Sequence, residues 1–309
     1  MNNSTAMRAL PGGIFTMGSE RFYPEEAPLR RVRVGPFRMD EVPVTNAAFA
    51  AFVEATGYVT MAEIAPDPKD YPGMDPRDAV AGSLVFTMTD APVPLDDPSA
   101  WWRWVAGANW RHPLGPESDL SGLMDHPLVH VTYADAAAYA AWAGKSLPTE
   151  AEFEYAARGG LDAGDYAWGD ELNPGGQHLA NVWQGLFPFA NTAQDGWVRT
   201  SPVRAFPPNP FGLYDLIGNV WEICEDWWSL PQDIKPRRKS ACCALDNPRG
   251  GFRAKSAGAA EPRMPRKVIK GGSHLCAPSY CQRYRPAARH PQALDSSTSH
   301  IGFRCVIRE

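Results

Sequence analysis

The 309-residue chain carries a formal net charge of −5 and no run of about 18 apolar residues, which excludes a membrane span and argues against nucleic acid or an anionic membrane as a main partner. Its 30 prolines, 27 glycines and 11 tryptophans exclude a long-helix architecture. They predict one domain over residues 1–309, rich in turns, short elements and aromatic contacts.

Near the start, Val32 and Val34, then Phe37 and Met39, alternate as strands do, with turns marked by Pro11-Gly12-Gly13 and Gly35-Pro36. Thr45 is a helix N-cap; Phe49, Phe52 and Val53 share one face, and Gly57 can close the helix in a left-handed conformation. Residues 61–110 lose this regularity among prolines 66, 68, 72, 92 and 94. They read as a long surface excursion ending in Trp101-Trp102-Arg103-Trp104, a cluster that packs the excursion down or lines a peptide groove. Residues 133–143 are alanine-rich and helical up to Gly144. Thr149-Glu150-Ala151-Glu152 is a capping box whose helix has Phe153, Ala156 and Ala157 on its apolar face and stops at Gly159-Gly160. From about 225 to 270, including the basic run Lys235-Pro236-Arg237-Arg238-Lys239, no sustained periodicity is present, and a flexible basic loop is expected.

His126 and His130 have the spacing of a helical metal pair, but Pro127 and the alternation through Val129 and Val131 favour an extended segment with structural histidines over an iron site. Six cysteines are few for a scaffold that depends on cross-links. Residues 1–10 lack the apolar run of a secretory signal, so a cytoplasmic protein is expected.

Cys276 and Cys281 lie five residues apart within Gly271-Gly272-Ser273-His274-Leu275-Cys276-Ala277-Pro278-Ser279-Tyr280-Cys281-Gln282-Arg283-Tyr284-Arg285. Spacing alone admits a disulfide, two separate buried thiols, or a soft metal. Two thiolates under-fill a structural zinc site, and Cys242-Cys243 are adjacent rather than a second C-x-x-C, so Cu(I) suits the pair better than zinc. The odd offset sends the two side chains to opposite faces of a regular strand, so convergence requires an irregular turn, which Pro278 and Ser279 suit.

This segment, with Ala287-Ala288-Arg289 and Gly302-Phe303-Arg304-Cys305 after it, resembles the tail of formylglycine-generating enzymes, the oxidases that mature sulfatases. The resemblance extends over nearly the whole chain. It takes in Pro11-Gly12-Gly13-Ile14-Phe15-Thr16-Met17-Gly18, Pro43-Val44-Thr45-Asn46 with Phe49, and His126-Pro127-Leu128-Val129-His130-Val131. It continues through residues 144–152, Asn181-Val182-Trp183-Gln184-Gly185 and Gly218-Asn219-Val220-Trp221-Glu222.

The resemblance implies an α+β, loop-rich fold with short strands and few helices, related to C-type lectin-like architecture. It implies Cu(I) on Cys276 and Cys281, with Ser273, Tyr280 and Trp221 near the copper and oxygen pocket. The substrate would be an unfolded or nascent sulfatase polypeptide bearing Cys-x-Pro-x-Arg. Its cysteine would lose a β-hydrogen, and hydrolysis of the resulting thioaldehyde would leave formylglycine, at the expense of O2 and a thiol reductant. Two Ca²⁺ ions are also implied, one on Asn181 and Asp195 with carbonyls of Val182 and Trp197, the other on Asp215 and Glu222 with carbonyls of Gly218 and Val220.

His300 stands where many relatives have asparagine, and its titration near neutrality sets it apart from asparagine. With Arg289 it is a candidate for substrate contact; Arg283 and Arg285 are further arginines for peptide recognition or internal pairing. Animal members carry a disulfide ending at the position of Cys305; its partner position here is Ala157, so Cys305 is expected as a buried thiol. No nucleic acid, no membrane and a monomer are expected. The competing readings are a noncatalytic ligand-binding protein on the same scaffold and a non-haem iron enzyme forming carbon–sulfur bonds.

Overall fold

The computed structural model describes residues 6–308 apart from 72, 163, 231–243 and 259–263. The run from Lys235 to Lys239 and the Cys242-Cys243 pair lie outside the described residues.

Short strands build two small layers near the amino terminus. Strand β1 (Met7–Leu10) pairs with β4 (Phe37–Asp40), which also receives the last strand, β14 (Val306–Arg308). Strand β2 (Gly13–Met17) pairs antiparallel with β3 (Arg30–Val34), and β3 takes β10 (Leu245–Asp246) in parallel. The expected alternation holds: Val32, Val34, Phe37 and Met39 are all buried, together with Phe15 and Met17.

Three helices follow from their caps. In α1 (Asn46–Thr56) the Thr45 hydroxyl accepts the Ala48 N–H at 3.2 Å, and Gly57 closes the helix at φ 68°. Helix α2 (Tyr133–Trp142) starts on a reciprocal Thr132/Asp135 capping box, and α3 (Glu150–Arg158) on the Thr149/Glu152 box with Gly159 at φ 60°. Every residue of α3 is buried, because the helix lies between the first strands and the central sheet. Its charges are therefore paired internally. Glu154 takes Lys270 at 2.9 Å and Arg158 at 2.8 Å, which hold its carboxyl at about 2 against the opposing cost of burial.

The central sheet runs β12 (Arg289–Ala293), β11 (Arg266–Lys270), β9 (Trp221–Trp227), β13 (Ile301–Gly302), with β13 parallel to β9 and the other pairings antiparallel. This corrects the loop expected over residues 225–270: Glu225 to Trp227 complete β9, β10 joins β3, and β11 is an interior strand. In β11 the alternation fails because consecutive residues Lys267, Val268, Ile269 and Lys270 are all buried, so both faces are covered. Lys267 is held between the rings of Trp227 (3.6 Å) and Tyr133 (4.1 Å) with its ammonium on the Glu225 carbonyl.

The excursion is more regular than its prolines suggest. Strands β5 (Gly82–Phe86) and β6 (Trp102–Ala106) form an antiparallel pair. Two-residue strands β7 (Gly185–Leu186) and β8 (Ala190–Asn191) form a small hairpin beside it. Phe86, Trp101, Trp183, Phe187, Leu275 and Ala277 make a separate aromatic cluster, so the excursion is packed onto the segment that carries Cys276. The α+β, loop-rich class expected from the sequence is the architecture observed. No helix among the described residues is long and apolar enough to cross a membrane.

Candidate functional site

After β11 the chain passes through Gly271 (φ 89°) and Gly272 (φ 72°) and folds back on residues 283–284. A Cβ on Gly272 would stand 2.7 Å from the Arg283 carbonyl oxygen, so the approach of the two arms requires glycine twice over, for conformation and for space. Between the arms, the N–H groups of Tyr280 and Cys281 donate to the Ala277 carbonyl at 3.1 and 2.8 Å. This single turn carries Cys281 back over Cys276, leaving the sulfurs 3.4 Å apart with both thiols free. The irregular segment that the odd offset demanded is present, and the pair is not a disulfide.

The two thiols differ electrostatically. Cys276 is buried in the main core and its thiol is pushed well above the usual range by desolvation. Cys281 is lowered to about 6, first by the hydrogen bond from Cys276 and then by the Arg283 guanidinium, whose Nη1 is 3.8 Å from Sγ. The pair thus shares one accessible thiolate near neutral pH. Arg283 is fixed from the far end of the sequence: Glu25 binds it at 2.6 Å, and the Tyr23 ring lies 3.8 Å from its carbon. The Tyr23 hydroxyl also accepts the Gln282 N–H at 3.0 Å. No sequence signal marked residues 22–26 as part of the site.

Ser273 is buried; its hydroxyl accepts the Leu275 N–H at 3.2 Å and its own N–H points at the Cys276 sulfur at 3.5 Å. Tyr280 stacks on Phe187 with centroids 4.5 Å apart and meets the edge of Trp101 at 5.5 Å, leaving the ring 38% exposed beside the thiols. Trp221 belongs to the same core cluster as Cys276, with His290 on its outer side at 5.8 Å. Trp101 and Phe187, walls of this site, were not singled out individually by the sequence, although the tryptophan cluster marked the region. Trp101 packs down at 1% exposure, whereas Trp104 is 53% exposed.

His300 is bound through Nδ1 to the Thr298 hydroxyl at 2.6 Å and lies 4.8 Å from the Trp102 ring. Burial, reinforced by His274, His290 and His130, holds its pKa well below the usual value. It therefore stays neutral at physiological pH, and the titration that set it apart from asparagine does not occur there.

Arg289 is corrected: it is 1% exposed, binds Glu150 at 2.8 Å and the Ser229 carbonyl at 2.7 Å, and lies against Trp228. A guanidinium with these partners is scaffold and does not face a substrate. Arg285 is likewise internal, forked onto Glu26 at 2.5 and 2.9 Å. His126 and His130 do not converge, since His126 meets Thr200 while His130 meets Ser83 and the Pro113 carbonyl, so the minority iron reading falls and the structural one remains. Among the described residues, no three His, Cys, Asp or Glu side chains gather to hold a metal.

The carboxylates further from the thiols offer two oxygen-rich sets. Asn181 Oδ1 is buried with no hydrogen-bond partner, while its amide donates to the Arg199 carbonyl at 2.8 Å. Asp195 accepts the N–H groups of Val182 (3.2 Å) and Trp197 (2.9 Å) and the Gln184 amide (2.7 Å). In the second set Asp215 accepts the Arg204 N–H at 2.9 Å. Glu222 is committed to Arg304 through both oxygens, each at 2.7 Å, so a cation there would have to share its carboxylate. Gly218 and Val220 lie between these residues on the chain; the Gly218 N–H donates to the Gly271 carbonyl at 2.9 Å and ties this segment to the thiol loop. Val220 is buried. Cys305 is a buried free thiol, as expected.

Comparison with known proteins places the chain in a family. Residues 1–309 match the family model of the sulfatase-modifying factor enzyme 1-like domain. The chain is similar to a formylglycine-generating enzyme of Mycobacterium tuberculosis, at 56% identity over 98% of this chain and 97% of that one. It is similar to one from Thermomonospora curvata at 48% identity, covering 97% and 92%. Among solved structures, PvdO from Pseudomonas aeruginosa superposes with a TM-score of 0.62 at 26% identity, covering 100% of this chain and 96% of that one.

Proposed function

We infer that this chain, which belongs to the sulfatase-modifying factor enzyme 1-like family, is a formylglycine-generating oxidoreductase that converts a sulfatase cysteine to formylglycine. The observation that carries the reading to particular residues is the Cys276–Cys281 pair, two free thiols with sulfurs 3.4 Å apart beside an aromatic wall.

The donor set fits one soft cation: two sulfurs converge, one thiol is easily ionised, and no third side-chain ligand of the described residues crowds them. When bound, Cu(I) would supply the means of activating O2 and of gathering the substrate thiol. Cys276 and Cys281 would hold it. Arg283 stabilises the Cys281 thiolate, and Glu25 with Tyr23 fixes Arg283. Ser273 orients the turn under Cys276, and Trp221 closes the apolar side that excludes water. Tyr280, stacked and half-buried, offers its phenol to the open side; its pKa is pushed up to about 12, so it remains a proton donor. His300, neutral, stands across Trp102 as a hydrogen-bonding group for the incoming peptide.

Ca²⁺ fits the first oxygen set, where the orphaned Asn181 Oδ1 would gain a partner alongside Asp195 and the carbonyls of Val182 and Trp197. The partner is an unfolded sulfatase polypeptide bearing Cys-x-Pro-x-Arg, with O2 and a thiol reductant as co-substrates, acting on a monomeric enzyme. The cysteines among the described residues are all free, which suits a reducing, cytoplasmic setting.

The test is aerobic incubation of the copper-loaded protein with a Cys-x-Pro-x-Arg peptide, with aldehyde detected by mass spectrometry and hydrazide trapping. Aldehyde is expected from the wild type and none from Cys276→Ser or Cys281→Ser. Wild-type turnover in either variant at copper saturation would overturn the two-thiolate assignment, and no aldehyde despite verified loading would overturn the oxidase reading.

A further inference from the structure

Strand β6 begins at the wall of the thiol pair and, among the described residues, is bordered on one side only. Its pairing with β5 is phased by two bonds, Thr87 N–H to the Trp101 carbonyl at 2.8 Å and Gly107 N–H to the Ala81 carbonyl at 2.9 Å. In an antiparallel ladder that phase makes Val85/Arg103 and Ser83/Val105 the hydrogen-bonded pairs. The N–H and C=O groups of Trp102 and Trp104 therefore point away from β5. The far edge of β5 is already taken, because Leu84 exchanges bonds with Ser297 and Ser299 at 3.3 and 3.0 Å. Among the described residues no strand or bridge pairs with the outer edge of β6.

An open edge is a template for another chain, and folded proteins ordinarily block one with proline, inward charge or a bulge. Here β6 has no proline, and its one charged residue, Arg103, is turned back onto the carbonyls of Ser99 and Ala100. Trp104 stands more than half exposed on the same face as Trp102, which lies against His300. Immediately before the strand, Trp101 makes a T-shaped contact with Tyr280, the neighbour of Cys281. The edge is thus continuous with the candidate active site, and an extended, unfolded chain is the kind of partner that can add to it.

We propose that the polypeptide substrate is held by strand addition to the outer edge of β6, with its flanking residues pairing alternately with Trp102 and Trp104 and its cysteine delivered past Trp101 to the thiol pair. The proposal rests on the oxidase reading for what is delivered, not for the pairing itself. Every second residue of one flank would give its N–H to β6, while the intervening N–H groups point to solvent. The motif's proline, having no N–H, fits only a position that points away or lies beyond the strand.

The experiment is a backbone N-methyl scan of a peptide that extends well past the motif on both sides. Affinity is read on a version with the cysteine replaced by serine, and aldehyde formation on the cysteine version. On one flank, alternate N-methyl groups are expected to weaken binding about tenfold and the intervening ones hardly at all. As a second arm, Trp104→Pro removes one outward N–H at an edge position; it should raise KM for the long peptide but not for one trimmed to the motif. Affinity without alternation on either flank overturns strand addition even if aldehyde forms. Alternating affinity without aldehyde keeps strand addition and rejects the oxidase reading.

Discussion

Replacing Arg285 by methionine tests whether the amino-terminal arm holds the thiol loop through a buried ion pair. The guanidinium is 1% exposed and makes three short bonds, two to Glu26 at 2.5 and 2.9 Å and one to the Gln282 carbonyl at 2.7 Å, while lying 3.7 Å from the Phe22 ring. Methionine fills much of the stem's volume but leaves the Glu26 carboxylate buried and unpaired, a loss of about 3–5 kcal/mol. With an unfolding entropy of about 2.1 cal/mol/K per residue, a loss of about 4 kcal/mol lowers the Tm of a chain this long by about 6 °C. The double variant Glu26→Gln/Arg285→Met removes the stranded charge and should recover at least about 2 kcal/mol. Because Tyr23 and Glu25 on the same arm hold Gln282 and Arg283, Cu(I) affinity should follow the same order. Denaturant melts and competition against a Cu(I) chelator read the two quantities. A single variant within about 1 kcal/mol of wild type, or a double variant as unstable as the single, would refute the buried-charge reasoning.

In the copper-free protein, alkylation of Cys281 should switch on through pH about 6, whereas an ordinary thiol does so near 8.5, and Arg283→Met should move the midpoint up; rates measured from pH 5 to 9 decide it. Since the folded pKa lies below the unfolded one, the thiolate's stabilisation is complete above the unfolded value and is lost as pH falls through about 6. Gly272→Ala forces a Cβ to within 2.7 Å of the Arg283 carbonyl at φ 72°, which should cost at least about 2 kcal/mol and weaken Cu(I) binding; unchanged melts and affinity would show that the arms do not need this approach. Millimolar Ca²⁺ should raise the wild-type Tm above its value in chelator, and Asn181→Leu should remove that increment; an equal increment in the variant would take Asn181 out of the calcium set.

The helices were legible because their determinants are local. Thr45 with Gly57, and Thr149 with Glu152, satisfy orphan backbone groups within a few residues of where they stand, so the caps could be read without knowing any partner. Strand β11 was not legible, because it is covered on both faces and its two lysines are satisfied by the Glu154 carboxylate and the Glu225 carbonyl, both supplied by other segments. Arg289 misled for the same reason: an arginine near a motif looks available for substrate until Glu150, 139 positions away, is found on it.

The same division runs through the site itself. Spacing showed that Cys276 and Cys281 would meet only across an irregular turn, and that turn closes on the local Ala277 carbonyl. What makes the two thiols unlike each other is only partly local. Burial in the main core raises Cys276, whereas Cys281 is lowered first by the hydrogen bond from Cys276 and further by Arg283, which Glu25 anchors from 258 residues away. The cysteine pair is therefore written in one short segment, but part of its asymmetry comes from the chain's other end, and a substitution in residues 22–26 should alter thiol chemistry without touching either cysteine.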